Sequence, residues 1–192
     1  MLIDLHCHTR VHSPCSNLDP AELIALAKQA GLDGVCLTEH DRTWDAADLA
    51  ALAAEHAFLV LGGMEVTTEQ GHVLVFGLDR YLPDMAIAGN LRRHVDRARG
   101  FMALAHPTRD EAHARRDPAV VRLFDAVEVM NGSDGRLRTA SVGWGLPGIA
   151  GSDAHARHEV GTCATRFDGA IRDERDLIQA LRAGRFAPEA LR

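Results

Sequence analysis

Short apolar runs alternate with amphipathic ones from the first residue onward. Leu2, Ile3 and Leu5 predict a strand that ends in His6-Cys7-His8. A polar stretch follows, and Asp19-Pro20 opens a helix. Asn17 or Asp19 can cap its free amides, Pro20 suits the first turn, and Leu23, Ile24, Leu26 and Ala27 form an apolar stripe up to Gly31. Gly34-Val35-Cys36-Leu37 reads as a short buried strand ending in Thr38-Glu39-His40-Asp41. A helix rich in alanine and leucine is expected over residues 45–56. A third strand, 58–61, ends in Gly62-Gly63-Met64-Glu65, and a turn at 69–71 leads to a fourth over 72–76. Residues 84–100 predict a basic amphipathic helix, and the strand after it ends in His106-Pro107. A charged helix around 111–123 precedes a strand over 126–130, which stops at Asn131-Gly132. A helix over 136–144 leads to Ile149-Ala150 and Gly151-Ser152-Asp153-Ala154-His155. A strand over 163–167 and a helix over 173–182 complete the order.

Strand-then-helix units recur, and no Asn-Gly hairpin signal separates two strands. That pattern predicts an α/β fold with a parallel sheet covered by helices. At roughly 25 residues per unit the chain holds about seven units, fewer than the eight of a full-sized barrel at ~250 residues. No linker, low-complexity tract or change of composition interrupts residues 1–192, so a single domain is expected.

Composition narrows the function classes. The formal charge of −6 gives no electrostatic reason to expect a nucleic-acid groove, although bound cations would reverse that sign locally. No apolar run approaches membrane-spanning length, and no charged-then-apolar leader precedes the first strand; a soluble cytoplasmic protein is expected. Cys7, Cys15, Cys36 and Cys163 are scattered without a C-x-x-C pair, which predicts buried free thiols over a disulfide framework or zinc ribbon.

The candidate chemistry lies at the strand ends. Residues two apart on an extended chain share a face, so His6 and His8 can turn their imidazoles to one point while Cys7 faces away. His40 ends the second strand, Glu65 the third and His106 a later one, and Asp153 and His155 follow the last core strand. Parallel α/β barrels form their sites at the carboxyl ends of strands, so these seven side chains are expected to converge. Imidazole and carboxylate donors on a rigid scaffold suit divalent cations. His72 begins a strand instead of ending one, and geometry alone gives it less weight.

The ordered motifs D-L-H-C-H-T, L-T-E-H-D, G-G-M-E, G-H-V-L, A-H-P and G-S-D-A-H resemble the PHP (polymerase and histidinol phosphatase) family, over nearly the whole chain. The resemblance implies a distorted (β/α)7 barrel of the amidohydrolase/PHP kind, with two or three divalent metals and phosphoester hydrolysis. It places His6, His8, Glu65 and Asp153 on one metal, with Glu65 bridging to a second held by His72 and His106. His40 and His155 would belong to a third. One departure stands out: relatives of this type carry an aspartate in a turn reading like Y-S-D-G. Here the turn reads His12-Ser13-Pro14-Cys15, with Ser13 in the carboxylate's place. His12, Cys15 or Asp41 are candidates to replace it.

With two cations ~3.5–4 Å apart, a metal-activated hydroxide would attack phosphorus in line. Glu65 would stay ionised between the cations, and Asp153 would bind metal and orient the water. His40 or His155 would protonate the leaving oxygen. Arg10, Arg42, Arg109 and Arg157 each lie within a few residues of a proposed ligand and are the phosphate-binding candidates. A donor set without thiolate suits zinc, manganese or iron alike. A chain too short for a large cap predicts an open pocket and a small phosphorylated metabolite or nucleotide as substrate. Two other readings compete. An amidohydrolase-like C–N hydrolase is disfavoured by the lack of a lysine near a central strand end. A metal-binding regulatory module without turnover is favoured by the missing turn carboxylate and opposed by Asp153 and Glu65.

Overall fold

The computed structural model describes residues 1–109, 117–134 and 145–191. Among these residues the strands form two five-stranded sheets. The first contains β1 (Leu2–Cys7), β2 (Gly34–Leu37), β3 (Leu59–Gly62), β9 (Cys163–Phe167) and β10 (Phe186–Ala190), in the order β10-β9-β1-β2-β3. The second runs in chain order through β4 (Met64–Thr68), β5 (Gly71–Phe76), β6 (Phe101–Leu104), β7 (Ala126–Asn131) and β8 (Gly148–Gly151).

Two seams join the sheets. His40 pairs with Glu65 between the end of β2 and β4, and Cys7 pairs with Ala154 beyond β8. At the second seam the Asp153 amide donates to the His6 carbonyl at 2.7 Å and the His8 amide to the Ala154 carbonyl at 3.1 Å. β3 and β4 are one run of chain broken at Gly63, where a Cβ would come within 2.8 Å of Thr38. Counted as one broken strand, they leave β1 to β8 with the seven positions of the expected distorted α/β barrel.

The expectation of a parallel sheet holds for β1–β3 and for β6–β8 but fails at β5, which runs antiparallel to both β4 and β6. A two-residue connection, Glu69-Gln70, can join only antiparallel neighbours, and Gly71 supplies the positive φ of 107° that closes it. Reversal puts the start of β5 at the same mouth as the carboxyl ends of the parallel strands. β9 also pairs antiparallel, with β1 and with β10, and β10 itself had no counterpart in the sequence reading.

Helices cover the strands largely as the apolar stripes require. α1 (Pro20–Gln29) is capped by Asp19, whose side chain accepts from the Ala21 amide, and it buries Leu23, Ile24 and Ala27 against Val35, Leu37 and Val60. α2 (Ala46–His56) follows Asp45 in the same way. The segment expected as one helix over 84–100 is a 3₁₀ turn, Pro83–Ala86, and then α3 (Ala88–Ala98). α4 (Pro118–Val121) is what the described residues show of the helix expected around 111–123. The helix expected over 136–144 lies outside the described residues. α5 (Glu174–Arg182) sets Leu177 and Leu181 on a core of Ile3, Leu5, Phe76 and Ile149 drawn from both sheets. Burying each such side chain is worth about 1.5–3 kcal/mol, which makes the strands a stiff frame for what stands on their ends. Among the described residues no helix is long and apolar enough to cross a membrane. Cys7, Cys36 and Cys163 are buried free thiols, whereas Cys15 is exposed.

Candidate metal centre

β1 is enclosed on both faces, and His6 and His8 leave it fully buried. Gly151 at the end of β8 lies against His6, where a Cβ would come within 2.4 Å of the His6 Cβ, so only glycine allows this approach. His106 and Asp153 take positive φ angles of 24° and 52°. Such backbone is costly for residues with a Cβ and persists where the surroundings fix it.

These constraints gather seven side chains around Glu65. His6 Nε2 stands 3.3 Å from Glu65 Oε2 and 3.3 Å from Asp153 Oδ1. His8 Nε2 stands 3.1 Å and 3.2 Å from the same two atoms. His40 Nδ1 lies 3.0 Å from Glu65 Oε2, while His72 Nδ1 and His106 Nε2 each lie 2.9 Å from Oε1. His155 stacks on His8 at 4.4 Å between ring centres and turns Nδ1 to the Asp153 carbonyl at 2.8 Å. His72, which begins its strand, reaches the cluster because β5 is reversed.

His6 Nε2, His8 Nε2 and Glu65 Oε2 are buried without a hydrogen-bond partner, although they crowd together. Buried polar atoms are rarely left so. Donors about 2.1 Å from one cation sit about 3.0–3.4 Å from each other, which is the spacing seen here. Three overlapping groups of donors could hold ions: His6, His8, Glu65 and Asp153; His40, Glu65 and His72; and His8, His40 and His155. The first coincides with the set expected for one metal. His106 shares Glu65 Oε1 with His72, as a bridging carboxylate would require.

Electrostatics supports the same reading. Burial would strip the proton from His6, but Asp153, Glu65 and Glu128 outweigh it and hold its pKa well above the usual imidazole value. Burial would likewise raise the carboxyls. Charge on His6, with the His106 and His40 rings close by, instead holds Glu65 far below its usual value, and His6 and His8 do so for Asp153. Positive charge on His6 thus offsets the carboxylates, a role that a bound divalent cation would take over.

Of the four arginines proposed from the sequence, the structure brings one to the cluster. Arg109 Nη2 donates to Asp153 Oδ2 at 2.6 Å and to Asn131 Oδ1 at 3.0 Å, and its Nε to Asp134 at 2.7 Å. Arg10 pairs with Asp19 at 2.9 Å and Arg157 with Glu22, both at the α1 side, and Arg42 is exposed after His40. Closeness in sequence to a ligand did not become closeness in space. Of the candidates to replace the turn aspartate, Asp41 accepts from the Thr67 amide at 2.8 Å, His12 rests on Trp44 and Cys15 is exposed. Ser13 itself reaches the site: its Oγ lies 3.3 Å from His8 Nδ1 and donates to Glu39 at 2.5 Å. Glu39 is fully buried and also accepts from Thr9 and Trp44.

The sequence reading missed Glu39, Glu128 and Asn131. Glu128 Oε1 bonds His6 Nδ1 at 2.9 Å, and Oε2 accepts from the His106 amide and from Asn131 Nδ2, each at 2.9 Å. A lone acid inside the apolar strand A-V-E-V-M-N was the available signal.

The PHP domain family matches residues 4–121, and the PHP-associated family matches residues 138–186. A 3′,5′-nucleoside bisphosphate phosphatase of Chromobacterium violaceum is 35% identical over 88 residues, 44% of this chain and 30% of that protein. An uncharacterized protein of Methanocaldococcus jannaschii is 24% identical over 140 residues, 68% of this chain and 82% of that one. Among solved structures, a two-domain protein of Bacteroides vulgatus containing a predicted PHP-like metal-dependent phosphoesterase gives a TM-score of 0.75 at 22% identity. That match covers 99% of this chain and 64% of the other. An amidohydrolase of Chromobacterium violaceum, solved with sulfate and no metal, gives 0.59 at 20% identity over 99% and 98% of the two chains. At these identities the structural likeness shows the fold.

Proposed function

The chain belongs to the PHP domain family, and on that footing we propose that it is a metal-dependent phosphoesterase acting on a small phosphorylated metabolite or nucleotide. The observation that carries this reading is the set of unpartnered, buried atoms His6 Nε2, His8 Nε2 and Glu65 Oε2, which crowd together with Asp153 Oδ1 close by. Two or three divalent ions held by this set, zinc, manganese or iron by its donor chemistry, would bring a water's pKa near neutrality and take up charge from the phosphoryl group.

The chain's own groups divide the remaining work. Glu65 offers one oxygen to His72 and His106 and the other to His6, His8 and His40, which suits it to a shared ligand. Asp153 keeps Oδ1 toward His6 and His8 while Arg109 and Asn131 restrain Oδ2, so its free oxygen is aimed. Among the described residues Arg109 Nη1 takes no part in these bonds, which makes it the donor to offer a phosphoryl oxygen. His40 and His155 stand at the rim, placed to hand a proton to the leaving oxygen. A lysine-bridged C–N hydrolase finds no support: the chain's only lysine, Lys28, ends α1 with its ammonium 2.6 Å from the His56 carbonyl.

The nucleoside bisphosphate phosphatase relative makes 3′,5′-bisphosphorylated nucleosides the first compounds to try, beside simple phosphomonoesters. Phosphate release should appear with added Mn(II) or Zn(II), stop with a chelator and return on reloading. A cation-loaded chain that releases no phosphate from any of them would overturn the proposal.

A further inference from the structure

Each cation donor must present one particular atom, so something has to fix the rest of the side chain. For three of the donors one carboxylate is involved. We propose that Glu128 is a positioning residue that sets His6, His106 and Asp153 at once and thereby holds the tightest cation subsite together. This rests on the cluster binding cations, not on the phosphoesterase chemistry.

Glu128 is buried on β7 and works entirely as an acceptor. Oε1 accepts from His6 Nδ1–H, which turns Nε2 toward Glu65 and Asp153 and reserves its lone pair for a cation there. Ligating histidines generally depend on such a partner for their tautomer. Oε2 accepts from the His106 backbone, the residue with the positive φ of 24°, and so fastens a conformation that is costly by itself. The same oxygen accepts from Asn131 Nδ2, which also reaches Asp153 Oδ2 at 3.3 Å, while Asn131 Oδ1 accepts from Arg109. Ligands from three strand ends therefore share one carboxyl group.

An isosteric amide cannot do this. If its NH2 faces His106 and Asn131, donors meet a donor. If it faces His6, the imidazole must take the other tautomer and point Nε2–H at the cation. Glu128→Gln should therefore fold yet bind Zn(II) about 10–100-fold more weakly at the tightest subsite, by competition with a chromophoric chelator. In the ¹⁵N spectrum of the Zn(II)-loaded variant, the His6 signature of a protonated Nδ1 should be lost or weakened. Asn131→Ala keeps the His6 bond and should weaken Zn(II) by a smaller factor. Wild-type Zn(II) affinity in Glu128→Gln, or in Asn131→Ala if the first variant does not fold, would overturn the proposal, and so would a wild-type chain that takes up no Zn(II). A wild-type chain that binds Zn(II) and releases no phosphate would instead remove the phosphoesterase reading and leave this one intact.

Discussion

His6 and His8 enter the donor cluster without any solvent contact, whereas His40, His72 and His155 keep 30%, 34% and 24% of their side chains exposed. The enclosed pair also has its far nitrogens anchored, His6 on Glu128 and His8 on Ser13, which in turn bonds Glu39. At the rim, His40 and His72 turn Nδ1 directly to Glu65, and among the described residues their far nitrogens have no such anchor. One end of the cluster is thus fixed by its surroundings and the other stays open to solvent and substrate. Anchoring makes a donor set tight and slow to exchange, and exposure lets a phosphate approach and a leaving group depart.

The largest effect should come from the residue that joins the two ends. Asp153→Asn replaces an oxygen either toward His6 and His8 or toward Arg109, and it should cut phosphate release about 10³-fold or more without unfolding the chain. Assays beside thermal melts test this, and a fully active variant would remove Asp153 from its assigned role.

Enclosure can be measured separately. Burial of Asp4, opposed by bonds from Ser152, raises its pKa from 3.8 to about 6. Its folded value lies above its unfolded one, so the stability present at low pH is lost as pH rises through that interval. The cost at pH 7 is roughly 3 kcal/mol. Asp4→Asn should stabilise the cation-free chain by about that amount at neutral pH, with the gain vanishing near pH 4 in denaturant titrations. A gain independent of pH would mean that Asp4 carries no buried charge.

The two ends should also answer differently to truncation. His6→Ala should weaken the tightest Zn(II) by about 100-fold, whereas His155→Ala should leave that ion in place and weaken a later one by about 10-fold. Equal losses at the same ion would break the distinction between enclosed and rim donors. The smallest effect belongs to Cys7, which alternates away from His6 and His8 and lies 3.8 Å from Ser152. Cys7→Ala should leave the metal content, measured by elemental analysis, unchanged, and a lost cation would show that the facing of β1 is wrong.

His6, His8, His40 and Asp153 were legible in the sequence because apolar runs locate strands and parallel strands aim their carboxyl ends at one mouth. His72 was not legible by that rule, since the reversal at Glu69-Gln70 depends on a hairpin without an Asn-Gly signature. Here the family motif pointed to His72 where local geometry was silent. Glu128 and Asn131 escaped because they lie within an apolar strand and act through other residues across the barrel. Arg10 and Arg157 misled for the opposite reason: they neighbour ligands along the chain, but their partners Asp19 and Glu22 hold them at α1. β10 was hidden by Phe186-Ala-Pro-Glu-Ala190, whose Pro188 is tolerated because the strand lies at a sheet edge.

Glu65 touches His6, His8, His40, His72 and His106. The most direct measurement is therefore a titration of the cation-free chain with Zn(II) that counts bound ions, repeated for Glu65→Gln. The wild type should take up two or three ions per chain, and the variant should keep at most one. A variant that binds the full wild-type complement would contradict a cation cluster organised by Glu65.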